Sequence, residues 1–278
     1  MISLKSKLTK ITFPIATTVE STLIHRVVRQ NGFLYIEIFG GNSPQNILKS
    51  RKTKEKIAQQ ETRRPIFHLA EMDICWVEND CGELLLYSYH PSRKKYLHPL
   101  SFEEVEGLRK KQKCFFVEEL LALGNDINFF FDLKTGIGSS QKALKALLDL
   151  MGEKANNCLF YSYDPVLLAE LSTLNPSLAM SVRTMKQWAS GKSILVPRIS
   201  AAGSLLNVYD LPGSVITINA ALHRSAHLRQ LNGHVREQGK HLIFGTLGKN
   251  KEKFSLAYDL ALGANMNKLS FEDVKELL

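Results

Sequence analysis

The chain has 278 residues, 44% hydrophobic and 23% charged, a composition typical of a globular protein large enough for one α/β barrel or two ordinary domains. No apolar run approaches the ~18 residues of a membrane-spanning helix, and no apolar stretch typical of a secretory signal follows the N-terminus, so we expect a cytoplasmic protein. The formal net charge is +9, and residues 1–64 hold 12 Lys or Arg against four Glu.

The basic residues of this region concentrate in residues 49–56 and at Arg63 and Arg64. Such a run is most often the solvated face of a helix. It also suits an anionic partner, either a phosphate-bearing substrate or an anionic membrane surface. No nucleic-acid-binding motif or aromatic platform accompanies it, so we expect no nucleic acid partner. The four cysteines form no CxxC pair, which favours free thiols in a reducing compartment.

Along the chain, segments typical of strands alternate with segments typical of helices. Apolar and β-branched runs predict strands at 33–39, 65–76, 84–89, 127–134, 158–163, 178–184, 215–219 and 241–246. Capping and turn residues predict helices at 44–60, 140–151, 165–171, 221–238 and 253–262, with further helices after Ser101 and Ser270.

This alternation predicts a (β/α)₈ barrel. The turn at 79–82 adds a small hairpin insertion after the second strand of the barrel. We expect a single barrel domain over 31–278, preceded by an N-terminal extension over 1–30. The alternative is an open doubly wound sheet, which typically has a glycine-rich phosphate-binding loop after its first strand. Gly40 and Gly41 do not form that pattern.

Acidic residues occupy the predicted second strand and the end of the following long strand. Glu71 and Asp73 stand two apart in an apolar run, and side chains at that spacing point to the same face of a strand. Asp132 ends the run Phe129–Phe131. Buried neighbouring carboxylates require a positive partner, and a divalent cation with oxygen ligands is the natural candidate. The alternative is that Glu71 and Asp73 are surface acids facing Arg63 or Arg64.

Two histidines and a lysine complete the candidate residues. His90 follows the predicted hairpin, 17 residues after Asp73 (90 − 73), and could fold back towards the acids. His25 precedes Arg26 in an upstream segment, and Lys134 follows Asp132 by two positions. The alternatives are ordinary: His90 as a turn residue before Pro91, His25 as a packing or surface residue, and Lys134 as a same-face partner of Asp132.

In this order and spacing the sequence resembles the glycerophosphodiester phosphodiesterase family. Members carry His-Arg-Gly at the first strand, Pro-Glu-Asn-Thr opening the first helix, Glu-x-Asp on the second strand, a His before Asp or Pro, and Glu-x-Lys on the third strand. The matching segments here are Pro44-Gln45-Asn46-Ile47, Glu71-Met72-Asp73, Tyr89-His90-Pro91 and Asp132-Leu133-Lys134. The resemblance extends over about residues 33–278.

The resemblance implies a barrel that hydrolyses a glycerophosphodiester to an alcohol and glycerol 3-phosphate, by way of a cyclic phosphate, or that hydrolyses a lysophospholipid-like substrate. It implies that Glu71, Asp73 and Asp132 hold one divalent cation, Mg²⁺ or Ca²⁺. Two histidines would act as general acid and base. The residues assigned to catalysis are His25, Arg26, His90 and Lys134.

The first-strand motif is where this chain departs from the family. His25-Arg26-Val27 lacks the glycine and lies 17 residues before Pro44 (44 − 27). A tighter register places Ile38 and Phe39 at the positions of the His and Arg. Two hypotheses therefore stay open: a divergent metal-dependent phosphodiesterase, or a catalytically impaired barrel that binds a phosphorylated ligand or a protein. The sequence does not indicate an oligomeric state.

Overall fold

A computed structural model describes residues 22–90, 99–189, 192–197, 215–220, 224–266 and 268–278. Eight parallel strands close into a ring in which each strand pairs with the next and the last pairs with the first. In ring order these strands are β1 (Phe33–Glu37), β2 (Ile66–Glu78), β5 (Phe129–Leu133), β6 (Leu159–Ser162), β7 (Ala179–Ala189), β9 (Val215–Ile218), β10 (His241–Thr246) and β11 (Gly263–Met266). The predicted (β/α)₈ barrel is confirmed.

Three further strands lie outside the ring: β3 (Leu84–Ser88), β4 (Phe115–Phe116) and β8 (Lys192–Pro197). Strand β2 continues beyond the ring and pairs antiparallel with β3, so that Cys75 lies opposite Tyr87. This is the predicted hairpin insertion, and β4 extends it by pairing with β3. Strand β8 pairs antiparallel with β7.

The helices lie before, between and after these strands along the chain. They are α1 (Leu23–Arg29), α2 (Pro44–Gln59), α3 (Phe102–Lys110), α4 (Val117–Leu123), α5 (Ser140–Met151), α6 (Pro165–Leu174), α7 (Ser225–Glu237), α8 (Lys251–Leu260) and α9 (Phe271–Val274). Ser43 caps α2 by accepting a hydrogen bond from the Asn46 N–H at 3.2 Å, as the Ser-Pro start predicts. Among the described helices, none has the length and apolar character needed to cross a membrane.

Alternate residues of each strand face the barrel interior or the helix layer. The interior is filled by an apolar cluster that includes Leu34, Ile36, Leu69, Phe130 and Tyr161. The helix layer packs on the outward residues in two larger clusters. The C-terminal ends of the ring strands, at Glu37, Leu133 and Ser162, form one end of the barrel, which we call the mouth. The N-terminal ends, at Phe33, Phe129 and Leu159, form the floor.

The first strand is shorter than the predicted 33–39. It ends at Glu37 because the chain turns at 38–41, and Phe39 adopts a left-handed φ of 58°. The N–H of Gly41 donates to the Glu71 carbonyl at 2.7 Å, so this turn lies directly on β2.

Helix α1 packs on the floor. Its residues Leu23, Ile24 and Val27 join the interior cluster beside Leu34, the second residue of β1. Residues 22–29 of the predicted N-terminal extension are thus part of the barrel's packing, whereas residues 1–21 lie outside the described part of the chain.

Candidate active site

The three predicted carboxylates lie at the mouth, on the adjacent strands β2 and β5. Asp73 pairs in register with Asp132, and Glu71 precedes Asp73 by two positions. Their neighbours Met72 and Phe131 pack in the helix layer, so the acids face the barrel interior. Glu71 is 6% exposed, Asp73 0% and Asp132 4%. Ionised groups this deeply buried require compensation by positive charge or hydrogen bonds.

Part of that compensation comes from Lys134, which follows the end of β5. Its Nζ lies 2.8 Å from Asp73 Oδ1 and also contacts Asp132 Oδ2. The lysine side chain is 4% exposed. The ammonium group therefore lies between two buried carboxylates, as an ion-pair partner of both.

The charge in this cluster is not evenly balanced. Burial raises the pKa of Glu71 well above its ordinary value, and repulsion from Asp73 and Asp132 raises it further. Burial alone would also raise the pKa of Asp73, but Lys134 and the hydrogen bond from His90 bring it below its ordinary value. Three carboxyl groups thus lie around one described ammonium, and the pKa of Glu71 is the one that burial and the neighbouring carboxylates raise.

His90 lies at the rim of the mouth. Its Nδ1 is 3.3 Å from the buried Asp73 Oδ2, and its side chain is 46% exposed. The ring of Phe39 packs edge-on against the imidazole, with 4.7 Å between centroids. The Phe39 N–H donates to Glu71 Oε2 at 3.0 Å.

Asn42, which the sequence did not single out, makes a close contact with the site. Its Nδ2 donates to Asp73 Oδ2 at 2.6 Å, and its Oδ1 accepts from the Asp73 N–H at 2.8 Å. Ser88 Oγ donates to the same Oδ1 at 3.0 Å. In a Gly-Gly-Asn-Ser segment an asparagine is read as an ordinary turn residue, so no local signal distinguishes it.

Searches with family models and among curated proteins found no match. Solved structures do match. A glycerophosphodiester phosphodiesterase from Parabacteroides distasonis is 13% identical, with a TM-score of 0.57 over 88% of this chain and 96% of that one. A phosphodiesterase from Oleispira antarctica in complex with the product sn-glycerol-3-phosphate is 13% identical, with a TM-score of 0.55 over 88% and 94%. A glycerophosphodiester phosphodiesterase from Agrobacterium tumefaciens is 14% identical, with a TM-score of 0.50 over 88% and 98%.

The chain has the barrel fold of the glycerophosphodiester phosphodiesterases. At these identities the likeness establishes the fold, and it extends over nearly the whole length of the matched proteins. The predicted resemblance to this family is confirmed at that level.

His25 and Arg26 are not brought to the mouth. Both belong to α1 on the floor, and the Arg26 guanidinium donates to the Asn157 side chain, which precedes β6. They lie at the opposite end of the barrel because the apolar residues of α1 anchor that helix to the interior cluster. The structure therefore does not bring these two residues together with the carboxylates, and the residues that follow β1 at the mouth are Ile38 and Phe39.

The alternative role for the acids, as surface partners of Arg63 or Arg64, also disagrees with the structure. Arg64 donates to the Gly32 and Ala261 carbonyls near the floor. Arg63 pairs with Asp259 at 3.4 Å. The basic run on α2 is largely engaged with other acids: Arg51 pairs with Asp126 at 2.9 Å, and Lys56 contacts Glu272.

The donor set at the mouth suits a hard divalent cation. Carboxylate oxygens are the ligands that Mg²⁺ and Ca²⁺ prefer. Asp73 Oδ1 lies 2.8 Å from Lys134 Nζ, so a positive group already stands beside this oxygen. Burial and the neighbouring Asp73 and Asp132 raise the pKa of Glu71, and a cation bound beside it would lower that pKa. Among the described residues, however, no three His, Cys, Asp or Glu side chains are already grouped as a metal site.

Proposed function

We propose that the protein is a metal-dependent phosphodiesterase that cleaves a glycerophosphodiester or lysophospholipid-like substrate at the barrel mouth. One observation supports this most: three buried carboxylates, a buried lysine and the Asp73–His90 pair all lie at the C-terminal ends of β2 and β5 or in the segments that follow them. Active sites of (β/α)₈ enzymes lie at this end of the barrel. The solved structures from Parabacteroides distasonis and Oleispira antarctica, which share this fold, are phosphodiesterases.

Glu71, Asp73 and Asp132 would hold the cation, either Mg²⁺ or Ca²⁺. When bound, such an ion neutralises phosphate charge and polarises the phosphorus–oxygen bonds. Lys134 lies between two of these carboxylates and keeps positive charge near the phosphate oxygens.

His90 is assigned one of the two proton transfers. In this role Asp73 would accept from Nδ1, and Nε2 would be the basic nitrogen of the ring. That nitrogen would take the proton of the attacking hydroxyl or water as the bond to phosphorus forms. His90 is the only imidazole that the described residues place at the mouth, so we assign protonation of the leaving alkoxide to solvent.

The test is release of alcohol by purified protein with Mg²⁺ or Ca²⁺, over a panel of glycerophosphodiesters and lysophospholipids. We expect cation-dependent turnover that Glu71→Gln abolishes and Glu78→Gln preserves. Glu78 is the matched control because it lies on the same strand but pairs with Lys142 at the surface. No turnover on any substrate would overturn the proposal.

A second function is favoured by the first-strand loop. Ile38 and Phe39 stand where the family carries a histidine and an arginine, and Phe39 contributes its backbone N–H and its ring to the site. A barrel of this kind could bind a phosphorylated ligand without cleaving it. The expected signature is a raised thermal midpoint with sn-glycerol 3-phosphate and Ca²⁺ in the absence of turnover.

The predicted attraction to an anionic membrane surface remains part of the proposal. Lys52 of α2, with the partly exposed Lys49 and Lys54 beside it, would carry that contact. Co-sedimentation with phosphatidylserine vesicles at low and high salt would test it, because binding of this kind weakens as salt screens the charges.

A further inference from the structure

We propose that Asn42 is a positioning residue that fixes Asp73 and, through it, His90, so that the loop after β1 orients the proton-transfer group. The consequence for catalysis rests on the proposed function. The geometric part does not, because it concerns contacts that the protein makes before any substrate binds.

Asn42 bonds both the backbone and the side chain of Asp73. Its Nδ2 donates to Asp73 Oδ2 at 2.6 Å, while its Oδ1 accepts from the Asp73 N–H at 2.8 Å. Two bonds to one residue restrict the rotation of the carboxylate about its own side-chain bonds. Asp73 is 0% exposed, so bulk water cannot replace either bond.

This arrangement gives the two oxygens of Asp73 different partners. Oδ2 receives Asn42 Nδ2 and lies 3.3 Å from His90 Nδ1. Oδ1 faces Lys134 Nζ at 2.8 Å. By holding Oδ2 within reach of Nδ1, the amide keeps a carboxylate acceptor aimed at that ring nitrogen, which favours the tautomer with the proton on Nδ1.

Asn42 also connects the loop to the hairpin that leads to His90. Ser88 Oγ donates to Asn42 Oδ1 at 3.0 Å, and Ser88 is 1% exposed and two positions before His90. The loop is itself anchored, because Asn42 N donates to the Phe39 carbonyl at 3.2 Å. The Asn42 side chain therefore links the loop to both β2 and β3, close to the His90 ring.

The chemistry requires an amide here. An aspartate at position 42 would retain the acceptor for the Asp73 N–H and for Ser88, but it would put a second carboxylate oxygen where Nδ2 now lies, 2.6 Å from Asp73 Oδ2. Shape and volume would be kept while the donor is lost and repulsion is added. Asn42→Asp therefore tests whether the hydrogen bond from Nδ2 matters, because the variant keeps the size and shape of the side chain.

The experiment is ¹⁵N NMR of the His90 ring in the full chain at about pH 8.5, where an ordinary imidazole is neutral. Wild type should show the Nδ1-protonated tautomer. We expect Asn42→Ala and Asn42→Asp to lose that signature and Ser88→Ala to lose it in part. Asn46→Ala is the matched control. Asn46, in the first turn of α2, donates to the carbonyl of the loop residue Phe39 at 2.9 Å, and no hydrogen bond to Asp73 is described for it. This variant should keep the wild-type tautomer.

Kinetics provide the second measurement. Loss of a residue that orients a reacting group typically lowers activity by 10- to 100-fold. We expect that loss in kcat, with KM changed less than about threefold, and a larger loss for Asn42→Asp than for Asn42→Ala. If both variants are folded and keep the wild-type tautomer, the positioning role is overturned. If the tautomer changes but wild type shows no turnover, the positioning role stands and the proposed function fails. Should the Asn42 variants not fold, an unchanged tautomer in Ser88→Ala would overturn the proposal.

Discussion

Two histidine–carboxylate pairs lie around the first two strands of the barrel, at nearly the same separation. His90 Nδ1 is 3.3 Å from Asp73 Oδ2 at the mouth, and His68 Nε2 is 3.2 Å from Glu37 Oε2 on the outer side, beneath α2. The His90 side chain is 46% exposed, whereas that of His68 is 2% exposed. Distance alone therefore does not distinguish a candidate catalytic pair from a structural one.

The surroundings of the two carboxylates differ in charge. Burial would raise the pKa of Glu37, but hydrogen bonds from His68 and Ser50 and the charge of Lys49 lower it below its ordinary value. Ser50 Oγ donates to Glu37 at 2.8 Å, which joins α2 to β1. At the outer pair these partners lower the pKa of Glu37, whereas at the mouth burial and the neighbouring carboxylates Asp73 and Asp132 raise the pKa of Glu71. Neighbouring carboxylates and access to solvent are what separate the two.

The largest effect is expected from Lys134→Met, which removes the ammonium group between Asp73 and Asp132. Uncompensated buried carboxylates should lower the free energy of unfolding by about 3–5 kcal/mol, measured by urea denaturation. Millimolar Ca²⁺ should restore part of the loss. The control is Lys142→Met, which breaks the surface pair with Glu78 and should have a much smaller effect. Equal losses in the two variants would show that the mouth cluster does not depend on this lysine.

His68→Ala addresses the outer pair. It leaves Glu37 without its buried partner and removes a ring that stacks on Tyr35, with 6.0 Å between centroids. We expect the free energy of unfolding to fall by about 3 kcal/mol. Among molecules that remain folded, turnover and cation binding should not change. A loss of cation binding in folded protein would contradict the distinction between the two pairs.

Glu71→Gln should change how the free energy of unfolding depends on pH. Folding raises the pKa of Glu71 well above the ordinary value of 4.5, mainly through burial, so the folded protein binds this proton more tightly than the unfolded chain. Stability therefore falls as pH rises between 4.5 and the raised folded pKa, and the variant should lack this slope. At neutral pH without cations it should be more stable by about 1–3 kcal/mol.

The contribution of Glu37 to the free energy of unfolding should change with pH in the opposite direction. Its pKa is lowered on folding, so its contribution is present above the ordinary value of 4.5 and is lost as pH falls through the lower folded pKa. Unfolding measured across acidic pH in Glu37→Gln and Glu71→Gln separates the two contributions. Parallel pH curves in these variants would refute the opposite directions assigned to the two pKa shifts.

The smallest effect on stability is expected for His90→Ala. Because the side chain is 46% exposed, the free energy of unfolding should change by less than about 1 kcal/mol. Turnover should fall by about 10²- to 10⁴-fold, as for loss of a general acid or base. Turnover at the wild-type rate would exclude His90 from the proton transfers.

Much of the fold follows from local pattern. The aromatic run at β5 was predicted as a strand over 127–134 and is observed at Phe129–Leu133, and the alternation of Glu71 and Asp73 correctly predicted a shared face. These features depend on the two-residue period of a strand and on burial, both of which are encoded locally.

The rest depends on contacts between distant segments. Asn42 and His68 have partners 31 positions away in the chain, and no local pattern shows which loop will contact which strand. A His-Arg pair likewise does not indicate at which end of a barrel it lies. The apolar spacing of Leu23, Ile24 and Val27 was the available signal that α1 packs on the floor.

The closure of the ring has a consequence for how the protein is made. Leu34 of β1 pairs with Phe67 on one side and with Gly263 on the other, 229 positions later (263 − 34). During synthesis β1 can acquire its first neighbour early, but its second edge has no partner until β11, at Gly263–Met266, has emerged from the ribosome. Contacts at such long range form slowly. Nascent chains should therefore present an unpaired edge at β1, a site where chaperones can act and where aggregation can begin.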